Sequence, residues 1–194
     1  DILDSLGIAH VGTYRNQEER DSLYPYITTT NGIRCAILNY TYGTNGISVN
    51  PPCIVNYIDT TQILKDINKA RIKKADVIIA CMHWGNEYVL KQNREQEQLA
   101  DWLIENGVDH IIGSHPHVIQ PTDIREDKFD SGYHFIAYSL GNYISNMSAK
   151  HTDIGIAVTL NMSKRLFTTG LTGIMVDTIR TDRKGFILRP MKQK

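Results

Sequence analysis

Residues 76–121, DVIIACMHWGNEYVLKQNREQEQLADWLIENGVDHIIGSHPHVIQP, constrain this chain more than any other stretch. Two apolar runs, Val77 to Cys81 and Ile111-Ile112, flank an amphipathic helical pattern that Gly107 closes as a C′ stop. Each run ends in a polar cluster holding histidine. The first is His83-Trp84-Gly85-Asn86-Glu87, the second Gly113-Ser114-His115-Pro116-His117. A strand, a crossover helix and a second strand of one sheet lie parallel, with a right-handed connection. Both clusters then emerge at the carboxyl ends of their strands, where open α/β sheets place ligand sites. The pattern brings three imidazoles and a carboxylate to one sheet edge and predicts a metal site.

The flanking sequence extends the same architecture. Asn31-Gly32 between two apolar arms (residues 26–30 and 33–38) is a hairpin signal, and the second arm reads as a central strand. Asp59 or Thr60 caps a helix whose apolar face is Ile63, Leu64, Ile67 and Ala70. From Ile33 to Ile112 the order is β-α-β-α-β, which predicts a parallel sheet. Residues 133–139 read as a further strand, followed by Leu140-Gly141-Asn142-Tyr143. Residues 8–11 read as a short strand, 49–57 as irregular around Pro51-Pro52, and 121–131 as a charged surface loop. Runs at 154–161, 173–181 and 186–189 predict an antiparallel second sheet packed on the first. Residues 1–194 read as a single domain. The start, Asp1 to Gly7, reads as the last turns of a helix, so a processed or truncated chain is expected, with any targeting signal upstream.

Composition narrows the function. Lys plus Arg and Asp plus Glu both total 21, so there is no basic field to attract nucleic acid and no basic amphipathic helix for a membrane surface. No apolar run reaches the ~20 residues that span a bilayer. Cys35, Cys53 and Cys81 have no metal-ligand spacing and read as idle thiols.

The candidate site residues carry competing readings. His83 follows the longest apolar strand, where a lone histidine is equally a hydrogen-bonded strand end. His115 and His117 sharpen the metal reading. Residues i and i+2 of an extended segment project to one side, and Pro116 keeps the segment extended. Both imidazoles then reach a common ion at roughly 2.0–2.2 Å from nitrogen to metal. Glu87 has four roles open to it: ligand, partner orienting a histidine, substrate contact, or solvated acid opening the next helix. Trp84 reads as core more readily than as a pocket wall. Asp109 and His110 lie at the far sheet edge and read as structural. His10, His134 and His151 have no partners at useful spacing. A dinuclear site also needs carboxylate or amide oxygens, which these motifs do not supply.

HWGNEY (83–88), GSHPHVIQP (113–121), YSLGNY (138–143) and YTYGTNG (40–46) resemble the CapA-type proteins of bacterial poly-γ-glutamate capsule synthesis, within the calcineurin-like metallophosphoesterase superfamily. The resemblance runs from AHVGTYRNQEE (9–19) to about residue 161. It implies an α/β fold, a four-layer α/β/β/α sandwich in which a parallel or mixed sheet is followed by a mainly antiparallel one. It also implies two divalent ions (Mn, Fe or Zn) at the strand ends. His83, His115 and His117 match the family's histidine positions as metal ligands, with His83, Glu87 and His115 as the catalytic candidates. Asn45, Asn142 and Trp84 are the substrate-facing candidates. The implied function is capsule biosynthesis through a metal-dependent hydrolase-type site acting on a phosphoester or a γ-glutamyl amide. The alternative is a non-catalytic component that binds the anionic polymer. Implied partners are poly-γ-glutamate or a small phosphoester, and other capsule synthesis proteins. The implied location is the outer face of the bacterial cell, held by an N-terminal anchor. The sequence departs from the family where the early Gly-Asp and Asn-Leu-Glu ligand motifs belong, and neither is found. The expectation is therefore roughly the C-terminal two-thirds of the domain, binding metal weakly and hydrolysing little by itself.

Overall fold

The computed structural model describes residues 2–127, 132–165, 168–182 and 184–191. In chain order the elements are α1 (Ile2–Ser5), β1 (Thr13–Tyr14), α2 (Gln17–Leu23), β2 (Tyr26–Thr30), β3 (Ile33–Thr41), β4 (Ile54–Val55), α3 (Thr60–Ile72) and β5 (Val77–His83). They continue with α4 (Arg94–Glu105), β6 (His110–Ser114), β7 (Thr122–Glu126), β8 (Tyr133–Ala137), β9 (Ile154–Arg165), β10 (Thr168–Asp182) and β11 (Ile187–Pro190).

Asn31 and Gly32 take φ of 50° and 80°, the pair of left-handed conformations a two-residue hairpin turn requires, and they set β2 antiparallel to β3. Asp59 caps α3 by accepting from the Thr61 and Gln62 amides. Asn93 and Gln96 form a reciprocal capping box at α4. Among the described residues one mixed sheet runs β2-β3-β5-β6-β8-β7, with β3, β5, β6 and β8 parallel and an antiparallel strand at each edge.

Both long helices cover the same face of this sheet. Ile63, Ile67 and Ala70 of α3 and Ala100 and Leu103 of α4 are buried with Leu38, Tyr40, Ala80, Met82 and Ile111. Each large side chain buried there contributes about 2 kcal/mol. The opposite face presents Cys35, Ile37, Val77 and Ile79, against which Met162 of β9 packs. The second sheet, β9-β10-β11, is antiparallel throughout. Helices, mixed sheet and antiparallel sheet give the first three layers of the expected α/β/β/α sandwich.

Three local expectations are corrected. Residues 8–11 are not a strand; the pairing falls instead on Thr13–Tyr14, which joins Ile54–Val55 inside the segment read as irregular. Residues 122–126 of the supposed loop form edge strand β7, while 128–131 lie outside the described residues. Its charges, Asp123, Arg125 and Glu126, disguised it, although charge is how an exposed sheet edge is protected. His10 and His134 do have partners: His10 meets the Asp4 carboxylate, and His134 donates from Nδ1 to the Asp109 carbonyl and faces Asp127 with Nε2.

A buried polar knot ties α2 to α3 and β3. Arg20 donates to Asp66 at 2.7 Å and to Asn56 at 2.7 Å, and the Tyr40 hydroxyl donates to the same Asp66 oxygen. Removing one partner would strand the other charge without water, the costly way to break such a pair.

His110 is buried at the edge of the sheet opposite the histidine clusters, where its Nδ1 accepts from the Phe135 amide. Burial, with the His134 charge adding to it, pushes its pKa down to about 4. The folded protein thus holds His110 neutral while the unfolded chain protonates it below its ordinary value near 6.5. The stability this group contributes is complete above pH 6.5 and is lost as pH falls to about 4, roughly 3 kcal/mol in all. His110→Asn keeps an acceptor for Phe135 but takes up no proton. Denaturation at several pH values is expected to show a shallower acid slope for His110→Asn than for the parent; parallel slopes would refute this assignment.

Candidate metal centre

Three adjacent parallel strands end level with one another. Thr41 of β3 pairs with His83 of β5, and His83 with Ser114 of β6. The residues that follow, Tyr42, Trp84 and His115, therefore begin their loops at one edge. The end of β8 brings Leu140-Gly141-Asn142 to the same edge, with Leu140 N donating to Gly113 O.

The imidazoles of His83 and His115 lie 4.6 Å apart between ring centres, and those of His115 and His117 lie 6.1 Å apart. Glu87, His115 and His117 each place a ligand atom within 4.8 Å of the other two. His117 Nε2 and Glu87 Oε1 are separated by 3.8 Å. His83 joins this group through His115, and Tyr42 lies against both rings, 5.8 Å from His83 and 4.5 Å from His115. Tyr88 covers His117 on the other side at 6.2 Å.

The donor set suits a divalent cation. Burial lowers the pKa of His83 and His115, and for His83 the neighbouring imidazoles push the same way. Both rings are therefore neutral at physiological pH and offer lone pairs. Neutral imidazole with one carboxylate is a common set for Zn and other first-row ions.

The backbone reaches this arrangement differently from the extended segment expected. His115 and His117 have φ of 100° and 59°, so Pro116 does not hold them on one side of a strand. The chain bends at each histidine, with Pro116 O accepting from the Tyr88 amide at 2.8 Å. Tyr88 itself has φ 65°. Each such non-glycine residue costs about 1–3 kcal/mol, and this strain persists only where the surroundings enforce it.

Two buried glutamines, absent from the sequence reading, do the enforcing around Glu87. Gln120 donates to the carbonyls of Val89 and Lys91, and its Oε1 accepts from Gln96. Gln96 is also the capping-box residue of α4, a signal present in Asn93-x-x-Gln96. Nothing local marks Gln120.

The substrate-facing candidates scatter. Trp84 is 2 % exposed, and its indole N–H donates to the Tyr138 carbonyl. It is buried within the hydrophobic core, the place its sequence reading favoured, and it also borders the cleft that opens beside the histidines. Asn142 turns inward to His117 Nδ1 at 3.0 Å and is committed there. Asn45 lies exposed in its turn and reaches the cluster only through the Tyr42 hydroxyl. Beside the cluster opens a cleft of about 420 Å³ whose walls include Tyr42, Gly85, Asn86 and Asn93.

A mixed sheet covered by helices on one face and by an antiparallel sheet on the other is a metallophosphoesterase-type fold. Haemophilus influenzae NAD nucleotidase (NadN) shares it with a TM-score of 0.51 at 11 % identity, over 96 % of this chain and 38 % of that one. Residues 1–147 match the profile of the bacterial capsule synthesis protein PGA_cap, and the chain belongs to that family. The capsule biosynthesis protein CapA of Bacillus anthracis is 35 % identical over 119 residues, covering 59 % of this chain. The PGA biosynthesis protein CapA of Bacillus subtilis is 31 % identical over 137 residues, covering 69 %. The matches span 28 % and 34 % of those relatives' own lengths.

Gly85 has φ 84°, and a Cβ there would lie 2.6–2.8 Å from the buried Gln96 amide. Gly85→Ala should destabilise the fold by about 1–3 kcal/mol in chemical denaturation, from steric overlap together with backbone strain. An unchanged midpoint would mean that the Gln96 clasp is slack.

Proposed function

We propose that this chain carries the histidine half of a metal-dependent hydrolase-type site in a capsule biosynthesis protein. The observation that carries this reading is the Glu87, His115 and His117 donor cluster at the carboxyl ends of parallel strands. His83, His115 and His117 would hold the ions, two in the complete protein, drawn from Mn, Fe or Zn. Bound divalent ions lower the pKa of a coordinated water and stabilise charge developing on a phosphoryl or acyl oxygen. Glu87, exposed beside His117, is placed to orient that water or to complete the ligand set. Tyr42 lies against the His115 ring and Tyr88 against the His117 ring. The adjoining cleft receives the rest of the substrate, a phosphoester or a γ-glutamyl amide of the capsule polymer. The names of the relatives, which speak of capsule and PGA biosynthesis, support the polymer as the biological target. With this reading goes a proposed place at the extracytoplasmic face, beside other capsule synthesis proteins.

A second reading, a non-catalytic component that binds the polyanion through bound metal, is favoured by one observation. The cluster found among the described residues contains a single carboxylate. The test is turnover by the full-length protein of a phosphodiester and of a γ-glutamyl peptide, with and without chelator, beside His115→Ala. The hydrolase reading expects chelator-sensitive turnover of one class, reduced on the order of 100-fold or more in His115→Ala while polymer binding persists. No turnover of either class, together with polymer binding lost in His115→Ala, overturns it in favour of the binding component.

A further inference from the structure

We infer that Asn142 is a positioning residue that fixes the proton of His117 on Nδ1 and so turns the Nε2 lone pair towards Glu87. The argument begins with the amide. Asn142 Nδ2 lies 3.0 Å from the carbonyl oxygen of Thr152, an atom that can only accept. The group facing it is therefore the NH₂. The same nitrogen is 3.2 Å from the Ser145 hydroxyl, which takes its other hydrogen. With both amide hydrogens directed away, the atom presented to His117 is Oδ1, at 3.0 Å from Nδ1. An amide oxygen only accepts, so the ring must donate, and the neutral imidazole carries its proton on Nδ1. Nε2 is left as the lone-pair nitrogen, 3.8 Å from Glu87 Oε1, itself an acceptor. Two lone pairs facing each other at that spacing suit a cation held between them.

The surroundings hold Asn142 rigidly to this task. Thr152 is fully buried, and its single hydroxyl hydrogen goes into the same loop, to the Ala149 carbonyl at 2.7 Å, with the Met147 carbonyl at 3.2 Å on the same side. The Ser145 hydroxyl also accepts from the Met147 amide. Residues 142–152 thus close on themselves around the Asn142 side chain. At Gly155, the start of β9 passes so close that a Cβ would sit 2.2 Å from the Asn142 carbonyl oxygen. The antiparallel sheet is by this route connected to the ring orientation of one histidine at the site.

The metal arm of this inference rests on the proposed function, whereas the tautomer itself does not, and the experiment separates them. Ring nitrogen shifts of His117 are measured by ¹⁵N NMR at pH 8 without metal, in the parent, Asn142→Ala and Asn142→Asp. Zinc affinity is then measured on the same three proteins by titration calorimetry. The parent is expected to show a protonated Nδ1 and a bare Nε2. Asn142→Ala should move toward the Nε2-protonated form and bind zinc about 10–100-fold more weakly. Asn142→Asp, whose carboxylate accepts the same proton, should retain the parent tautomer and recover most of the affinity. A parent with its proton on Nε2 overturns the inference without recourse to any variant. So does an Asn142→Ala protein that has lost stability while its His117 shifts stay unchanged, since that is what a merely structural loop anchor would give. If zinc binds none of the three, the metal reading of the site fails and the ring shifts alone decide the role of Asn142.

Discussion

The parallel register of β3, β5 and β6 is the constraint on which the rest depends. Because Thr41, His83 and Ser114 lie level across the sheet, three loops leave it at one height. Tyr42, His83 and His115 come into ring contact without any long excursion of the chain. A slip of one residue in any of these strands would reverse its inward and outward side chains. The apolar sets that prevent such a slip are plain: Leu38, Ala80 and Ile111 are fully buried beneath the two helices. The core thus sets the geometry of the site.

Beyond the strand ends the construction changes character. Gly85, Tyr88, His115 and His117 all have positive φ, and the loops that carry them are held by side chains. Gln96 and Gln120 secure the segment bearing Glu87, Pro116 O receives the Tyr88 amide, and Asn142 reaches His117. Buried polar contacts of this kind are worth making only when every member is satisfied. Here they hold a strained backbone whose product is a set of lone pairs converging from two loops, which is how a binding site spends folding energy.

Much of the fold was legible because its signals are local. The Asn31-Gly32 turn, the Asp59 cap, the Gly107 stop and the apolar runs of β5 and β6 each carry their own chemistry in sequence. The charged edge strand β7 and the short β1-β4 pair were not legible, since pairing partners far along the chain create them. The histidines were visible as types and in spacing, but the route to their proximity was misjudged. Pro116 suggested extension, whereas the tertiary contacts of residues 85–92 bend the chain at both neighbours. Gln120 and the inward turn of Asn142 have no sequence signature, because each is defined by a carbonyl that it meets only in the fold.

The central claim is that this edge of the sheet holds a divalent cation through histidine. Its most direct test is equilibrium titration of the purified 194-residue chain with Zn or Mn, beside the His115→Ala variant. Saturable binding of an ion by the parent, weakened at least about tenfold in the variant, is the predicted result. Equal affinity in both proteins, or no saturable binding in the parent, would contradict it.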